Sequence, residues 1–433
     1  MKTIPELAQP YQGYAYAYPH KSTYRTFDPP ISVRDAWQDE PLRRFLYVHI
    51  PFCEMRCGFC NLFTLVNPNK DITKAYLSAL QREAEVAAQA SGFAQAPVQM
   101  AFGGGTPTWL EPAELDKLFD LLATCFHADP RNCPTAVETS PKTATTDRLT
   151  VLKDRGVERI SIGVQSFDER EAKAMGRPQK TADVAAALDR IREHQFRSLN
   201  VDLIYGAAGQ TPESFSASIK QAMQWHPEEI YLYPLYVRPR TGLDGRAEVW
   251  DTQRLNLYRH GRDILLSEGY TQISMRHFRK GPDLGGEYTC QEDGMIGLGP
   301  GARSYTRDLH YAMDFAVSRA AVLGVLQRYI EKDRSEFGRI AHGIRLGQSE
   351  KMRRYLLKSL LHREGLNTAR FETLYGQPVH DVFPELAKLA QADLLTTGSI
   401  LQLSAAGLER SDAIGPWLYS SSVTKQMEAF APA

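Results

Sequence analysis

The 433-residue sequence predicts an α/β fold: a partial (β/α)6 barrel followed by a mostly helical, winged-helix-like C-terminal domain. Three observations predict it. Short apolar runs alternate with amphipathic stretches six times between residues 44 and 268, the pattern of a parallel sheet with right-handed crossovers. Glycine-rich or charged segments follow successive strands, as FGGGTP, ETSPK, GVQSF and DLIYGAAGQ, and a barrel gathers such strand ends around one mouth. After Tyr305 the alternation stops. An open doubly wound sheet is the competing closure, but ligand groups drawn from several strand ends suit a barrel better than one switch-point crevice.

The elements follow in order. RFLYVHI is a buried strand, apolar and bounded by turn signals. DITKAYLSALQREAEVAAQA has helical periodicity with Asp71 as its N-cap. VQMAF is the next strand, and PAELDKLFDLLATCF a helix with Pro112 in its first turn. TAVET is a strand, and TTDRLTVLKDRG a helix closed by Gly156. RISIGVQ, TADVAAALDRIREH, LNVDLIYG, TPESFSASIKQAMQW, EEIYLYPLYV and a helix over 251–268 complete the six units. The predicted organisation is an N-terminal arm (1–43, rich in Tyr and Pro), the barrel with its substrate-side extension (44–305), a helical connector (306–346) and the C-terminal domain (347–433). In the last, LLTTGSILQLS reads as a hairpin turning at TTGS.

Lysine plus arginine and aspartate plus glutamate number 51 each, so the net charge is zero. No global field attracts nucleic acid or an anionic membrane. The winged-helix-like domain is therefore expected to be a lid or docking module rather than a DNA reader. The opening MKTIPELAQPYQGY has no apolar signal region, and no apolar run approaches the ~20 residues that span a bilayer. These readings point to the cytoplasm, with no membrane or nucleic-acid partner, and to a monomer. Six cysteines are present, and Cys53, Cys57 and Cys60 crowd into eight residues while Cys125, Cys133 and Cys290 are scattered. That is no disulfide framework; it reads as metal binding.

The spacing Cys53-x3-Cys57-x2-Cys60 directly follows the first strand. Three thiolates on a tight loop suit three irons of a cubane cluster and leave the fourth iron open. Tetrahedral zinc is the alternative, with His49 as the local candidate for a fourth ligand.

With YVHIPFC, CxxxCxxC carrying Phe59 before its last cysteine, FGGGTPT, GVERISIGVQSFDE, MGRPQ and NVDLIYGAAGQT in this order, the chain resembles radical S-adenosylmethionine (SAM) enzymes. Within these it is similar to the oxygen-independent coproporphyrinogen III oxidase-like branch, which includes haem chaperones. The resemblance implies a [4Fe-4S] cluster on Cys53, Cys57 and Cys60 and SAM on the open iron, with a second SAM in several relatives. One-electron cleavage of SAM then gives a 5′-deoxyadenosyl radical, fed by a donor such as flavodoxin or ferredoxin. It also implies SAM contacts from Tyr47, Phe59, Gly103, Gly104, Gly105, Thr106, Glu138, Gln165, Arg177, Asp202 and Gly206, with Tyr47 also a catalytic candidate.

The sequence departs from these relatives at two places. Leu62 stands where the coproporphyrinogen enzymes carry a fourth cysteine, and Cys290-Gln291-Glu292-Asp293-Gly294-Met295 replaces the HNxxYW-type motif of the haem chaperones. The expected function is hydrogen abstraction from, or methyl transfer to, a small organic or peptide substrate near Gln291 to Tyr305. The alternatives are oxidative decarboxylation of a tetrapyrrole propionate and haem trafficking. Cys290 is a catalytic candidate as hydrogen-atom donor or covalent partner, against an inert buried thiol. The arm tyrosines, with Arg238, Arg240, Arg276 and Arg279, are candidates to receive an anionic, aromatic substrate or simply to cover the barrel mouth.

Overall fold

The structure is a computed structural model, and it describes residues 9–38, 40, 44–92, 95–245, 250–281, 294–314 and 316–430. One mixed sheet organises the described chain. Its strands are β1 (Arg25–Ser32), β2 (Arg44–Ile50), β3 (Gln99–Gly104), β4 (Thr135–Thr139), β5 (Arg159–Gln165), β6 (Ser198–Tyr205), β7 (Glu229–Pro234), β8 (Thr271–Gln272), β9 (His277–Arg279), β10 (Gly294–Leu298), β11 (Arg303–Tyr305), β12 (Leu309–Ala312) and β13 (Arg339–Arg345). The spatial order is β1-β13-β12-β11-β10-β2-β3-β4-β5-β6-β7-β9-β8. From β10 through β2 to β7 the pairing is parallel. Antiparallel strands extend both flanks. The end strands β1 and β8 are not paired to each other, so the barrel is partial.

The parallel strands read as continuous apolar runs because helices and barrel interior cover both faces. In β6 seven of eight residues are buried. The helix Lys70–Ser91 is capped by Asn69, whose Oδ1 accepts the Ile72 N–H at 2.9 Å, and not by Asp71, which lies in its first turn. Either residue has capping chemistry, and the turn geometry chooses between them. Segment 306–346 differs from a purely helical connector. Besides the helix Arg319–Glu331 it carries β12 and β13, which join the sheet and receive β1 of the arm. Such short strands are defined by their partners more than by their own residues.

The large core cluster fills the space between strands and outer helices, with Leu46, Val48, Phe102, Phe119, Ile160 and Leu199 among its buried members. Residues 348–428 build a second core of helices and a small antiparallel sheet around Leu356, Phe371, Phe383 and Leu401, and Ala15 and Tyr18 of the arm pack into it. No helix among the described residues is long and apolar enough to cross a membrane.

The arm is stitched between barrel and C-terminal core. Gln12 and Gly13 N–H groups donate to the Asp412 carbonyl at 3.3 and 3.0 Å, and Lys358 Nζ donates to the Tyr16 carbonyl at 3.0 Å. The Asp412 carboxylate is 1% exposed and meets the buried Arg276 guanidinium, while Tyr236 donates to it at 2.5 Å. The Arg276 guanidinium in turn lies 3.8 Å from the Tyr14 ring centroid. Arg276 is thus committed to holding three segments together, which removes it from the candidate substrate-receiving set. Truncating one partner of such a pair strands the other charge, at a cost of about 3–5 kcal/mol. Asp412→Ala is expected to lower the unfolding free energy read from urea titrations by that amount, while Arg276→Met with Asp412→Leu recovers most of it; equal midpoints for wild type and Asp412→Ala would contradict the assignment.

Candidate active site

The site begins where β2 ends. Past Pro51 the chain forms a two-residue ladder, Phe52–Cys53 against Leu65–Val66. Leu65 N–H donates to the Pro51 carbonyl at 2.6 Å and Asn67 N–H to that of Cys53 at 2.9 Å. These bonds close the loop that carries the three cysteines. Gly58 pins its tip: its N–H reaches the Met175 carbonyl at 3.1 Å, and its carbonyl accepts from Leu243 N–H at 2.9 Å. A Cβ on Gly58 would stand 2.8 Å from the Met175 oxygen, so only glycine fits without a shift.

The end of β3 abuts this loop. Gly105 N–H donates to the Ile50 carbonyl at 2.8 Å and Thr106 N–H to that of Phe52 at 2.7 Å. A Cβ on Gly105 would lie 2.5 Å from the Phe52 oxygen and 2.9 Å from the Cys53 sulfur. The Thr106 hydroxyl donates to that sulfur at 3.6 Å. A Cβ on Gly103 would lie 2.9 Å from both the Tyr47 hydroxyl and a Glu138 oxygen, so Tyr47, Gly103 and Glu138 meet at one point.

Burial pushes the Cys53 thiol up to about 12 and raises that of Cys60, and each is raised further by neighbouring cysteines of the same loop. Cys57 is buried, and its sulfur accepts from Arg177 Nη1 at 3.0 Å. Arg177 is itself held by the Gly163 carbonyl at 2.8 Å and Gln179 Oε1 at 3.0 Å. Mutually repelling buried thiols become thiolates only against strong positive charge, which bound metal provides. The donor set therefore fits an iron–sulfur cluster. His49 does not join it. Its Nε2 donates to the Phe63 carbonyl at 2.9 Å, its ring lies against Gly104 and Gly301, and burial depresses its pKa to about 4. Among the described residues no group of three or more His, Cys, Asp or Glu side chains is arranged to hold a single metal ion. The place of the His49 ring counts against it as a fourth zinc ligand.

Two carboxylates face the interior from β4 and β6. Glu138 Oε2 accepts the Gly104 N–H at 3.3 Å. Glu138 lies deep among the strands, yet its side chain opens onto accessible space inside the barrel. Desolvation first, then the negative field of Asp202, raise its pKa to about 7. Asp202 is raised to about 6 by desolvation, moderated by Asn200, which donates to Oδ1 at 2.8 Å. The ladder bulges between Gly163 and Gln165, and Gln165 takes a left-handed φ of 71°. A bulge re-aims a side chain, and Gln165 Nε2 here folds back over Gly163. Phe59 packs beside Ile204, Ala207 and Leu243. Gly206 has a φ of 90°, and its N–H donates to Gln210 Oε1 at 2.7 Å.

Of the predicted cofactor and metal residues, Cys53, Cys57, Phe59 and Cys60 lie on the loop after β2, and Gly103–Thr106, Glu138, Gln165 and Gly206 at carboxyl ends of strands; Tyr47 and Asp202 lie within β2 and β6, and Arg177 follows the helix Glu169–Ala174. Cys290 lies outside the described residues. Gln179, Asn200 and Gln210 were missed as supports. Gln179 and Gln210 lie inside the motifs MGRPQ and GAAGQT and Asn200 two residues before Asp202, yet spacing alone does not show which carbonyl or carboxylate each meets.

The description of the radical SAM superfamily matches residues 47–222. The oxygen-independent coproporphyrinogen III oxidase of Escherichia coli (strain K12) is 30% identical over 365 residues, covering 79% of this chain and 77% of that protein. That of Pseudomonas aeruginosa is 28% identical over 415 residues, covering 92% and 88%. The heme chaperone HemW of Bacillus subtilis is 28% identical over 359 residues, covering 81% and 92%. The structure of coproporphyrinogen III oxidase (HemN) from Escherichia coli superposes with a TM-score of 0.79 at 26% identity, over 94% of this chain and 96% of that one. The chain belongs to the radical SAM superfamily, in its oxygen-independent coproporphyrinogen III oxidase-like branch. That family uses a [4Fe-4S] cluster and SAM.

The raised Glu138 pKa has a stability consequence. Its folded value of about 7 lies above the ordinary 4.5, so the folded state holds the proton more tightly. Its stabilising contribution is complete below pH 4.5 and is lost as pH rises through 7. Glu138→Gln is expected to melt higher than wild type at pH 8, with the difference vanishing near pH 4. Thermal melts of the metal-free protein across that range check this, and a pH-independent difference would contradict it.

Proposed function

We propose that the chain is a radical SAM enzyme that abstracts hydrogen from, or transfers a methyl group to, an organic or peptide substrate in the barrel mouth. The observation that carries this reading is the close seat of the cysteine loop on the Gly103–Thr106 strip. In it Cys53, Cys57 and Cys60 hold three irons of one [4Fe-4S] cluster, and the remaining iron is open to SAM. When bound and reduced by a donor such as flavodoxin or ferredoxin, cluster and SAM supply a 5′-deoxyadenosyl radical.

The chain's own residues bind, orient and shield. Backbone N–H groups of Gly104, Gly105 and Thr106 already have acceptors, so this strip gives the methionine end of SAM space rather than donors. Glu138 meets the SAM ammonium, and a cation there draws its pKa down and ionises it. Asp202 accepts from ribose hydroxyls. Phe59 and the Gly206 backbone flank the adenine, with Gln165 aimed inward by its bulge. Arg177 acts through the Cys57 sulfur, as a charge-assisted donor. Tyr47 meets Glu138 at Gly103, at the boundary of SAM and substrate.

The relatives favour a second reading, decarboxylation of a tetrapyrrole such as coproporphyrinogen III; Leu62, half-exposed on the cysteine loop, stands where those enzymes carry cysteine. HemW raises haem binding as a third, against which the altered 290–295 segment stands. Anaerobic reconstitution with iron, sulfide, SAM and dithionite is expected to yield 5′-deoxyadenosine, with S-adenosylhomocysteine marking methyl transfer. Cys53→Ser, Cys57→Ser and Cys60→Ser are each expected to lose the visible cluster absorbance and the product, and Asp202→Asn to weaken SAM binding about tenfold. Absence of both products from the wild type would sink the enzyme reading; carbon dioxide from coproporphyrinogen III, or a Soret shift on haem titration, would move it to the second or third.

A further inference from the structure

Three arm tyrosines each carry an arginine on the ring face. Arg254 lies 4.4 Å from the Tyr11 centroid, Arg276 3.8 Å from Tyr14 and Arg303 4.6 Å from Tyr16. The first two also have acceptors. Arg254 meets Asp251 and the Leu235 carbonyl, the latter at 2.9 Å, and Arg276 meets Asp412. Two further interior arginines, half-buried Arg159 and buried Arg177, are satisfied as well: Arg159 by Glu229 at 2.6 Å, and Arg177 by Cys57, Gly163 and Gln179. Arg303 differs. Its guanidinium makes no hydrogen bond or ion pair among the described residues, and its Nη1 is buried without an acceptor.

A half-buried guanidinium that faces aromatic rings, with Nη1 buried and no acceptor, is costly. Cation–π contact with Tyr16 returns about 2 kcal/mol at most, while desolvating an unpaired charge costs several. Such an orphan calls for a partner outside the protein.

The fold holds Arg303 there deliberately. The turn Gly299–Gly301 wraps over His49: a Cβ on Gly299 would lie 2.7 Å from the His49 carbonyl, and one on Gly301 2.7 Å from its ring. Both glycines have left-handed φ, 88° and 100°. That turn leads into β11, where the Arg303 backbone packs against Gly297, the β10 residue paired with Tyr47. The surrounding field is positive. Burial and then the charge of Arg303 hold Lys21 well below the usual lysine range. Burial, then Lys21, Arg303 and Arg238, push His20 down to about 3. The groups that act most on Arg303 itself are the tyrosines 16, 305, 24 and 47.

We propose that Arg303 anchors a carboxylate of the substrate, planar fork to planar acid, with Tyr16 and Tyr305 bounding the body attached to it. The rings suit a flat or apolar body, and the site lies next to Tyr47, so the anchored molecule reaches the reacting centre. This rests on the enzyme reading given above and adds the chemical class of its substrate: an organic acid.

Sodium benzoate serves as probe and benzamide as its neutral isostere, both on the cluster-reconstituted full chain. Benzoate is expected to raise Tm saturably by mass action, and benzamide to leave it unchanged. Arg303→Gln is expected to weaken the benzoate response roughly tenfold or more. Its own Tm without ligand should be no lower than wild type, because the stranded charge is gone. Arg303→Lys, which keeps the charge but not the fork, is expected to respond between the two and covers the case in which the glutamine variant fails to fold. No benzoate response in wild type, or equal responses in wild type and Arg303→Gln, overturns the proposal. Loss of one SAM-binding event in calorimetry of Arg303→Gln overturns it too, since the carboxylate would then be that of SAM. Formation of 5′-deoxyadenosine by wild type reads the enzyme assignment separately, whatever benzoate does.

Discussion

Backbone of the cysteine loop lies against backbone at the end of β3, and the site depends on that approach. The Ile50 and Phe52 carbonyls accept from Gly105 and Thr106, and there is no room for a Cβ at 105. Each hydrogen bond contributes about 1 kcal/mol net, and a misfitted methyl would cost about 1–3 kcal/mol in strain. The terms are small, but they act at one place. They fix Cys53, and the Gly58 contacts to 175 and 243 fix the other end of the loop. Two protein segments remote in sequence therefore shape the loop before any metal chemistry begins. Glycine is required here for proximity, and the donors of the strip are spent on holding the loop.

The same packing creates an interior with two electrical sides. Glu138 and Asp202 stand on one, both held toward protonation by desolvation. Arg303, Lys21 and Arg238 stand on the other, and their field depresses His20 as well. Tyr47 feels both: burial first and then Glu138 make its ionisation harder, and Arg303 makes it easier. In a low-dielectric cavity such a gradient orients any ligand whose charges are separated. It also explains why the carboxylates need no protein cation in direct contact. Without a cation in contact, a raised pKa keeps the charge on both low.

Legibility in the sequence follows from how local each constraint is. Cys53, Cys57 and Cys60 were readable as one group because three residues of one type stand at close spacing on one loop. FGGG and the residues at strand ends were readable because barrel topology sends each strand end to the same mouth. That His49 is no fourth zinc ligand was not readable, since it turned on where its ring points, and that is set by Phe63, Gly104 and Gly301. The capping choice between Asn69 and Asp71 was too fine for composition. β12 was hidden because a four-residue strand is defined by its neighbours, and β13 because it has no place in the sheet without β12 and β1 on either side. Arg276 looked like a substrate group because its partner, Asp412, lies 136 residues away. Gln165 carried no sign that it would adopt a left-handed backbone.

The three tyrosine–arginine pairs under the arm make the last point physical. All three share the cation–π contact, so that contact does not distinguish them. Tyr11–Arg254 and Tyr14–Arg276 are completed by Asp251 and Asp412, and a completed pair locks the arm and the C-terminal core to the barrel. Tyr16–Arg303 is left open beside Tyr47. Stability alone would favour closing it in the same way, with an acid or with a neutral side chain. A fold that satisfies two such arginines and strands the third keeps a charge preorganised for something that arrives later, and accepts lower stability without it. The arm thus has unequal halves: its first two tyrosines fasten the molecule together, and the third helps frame the site.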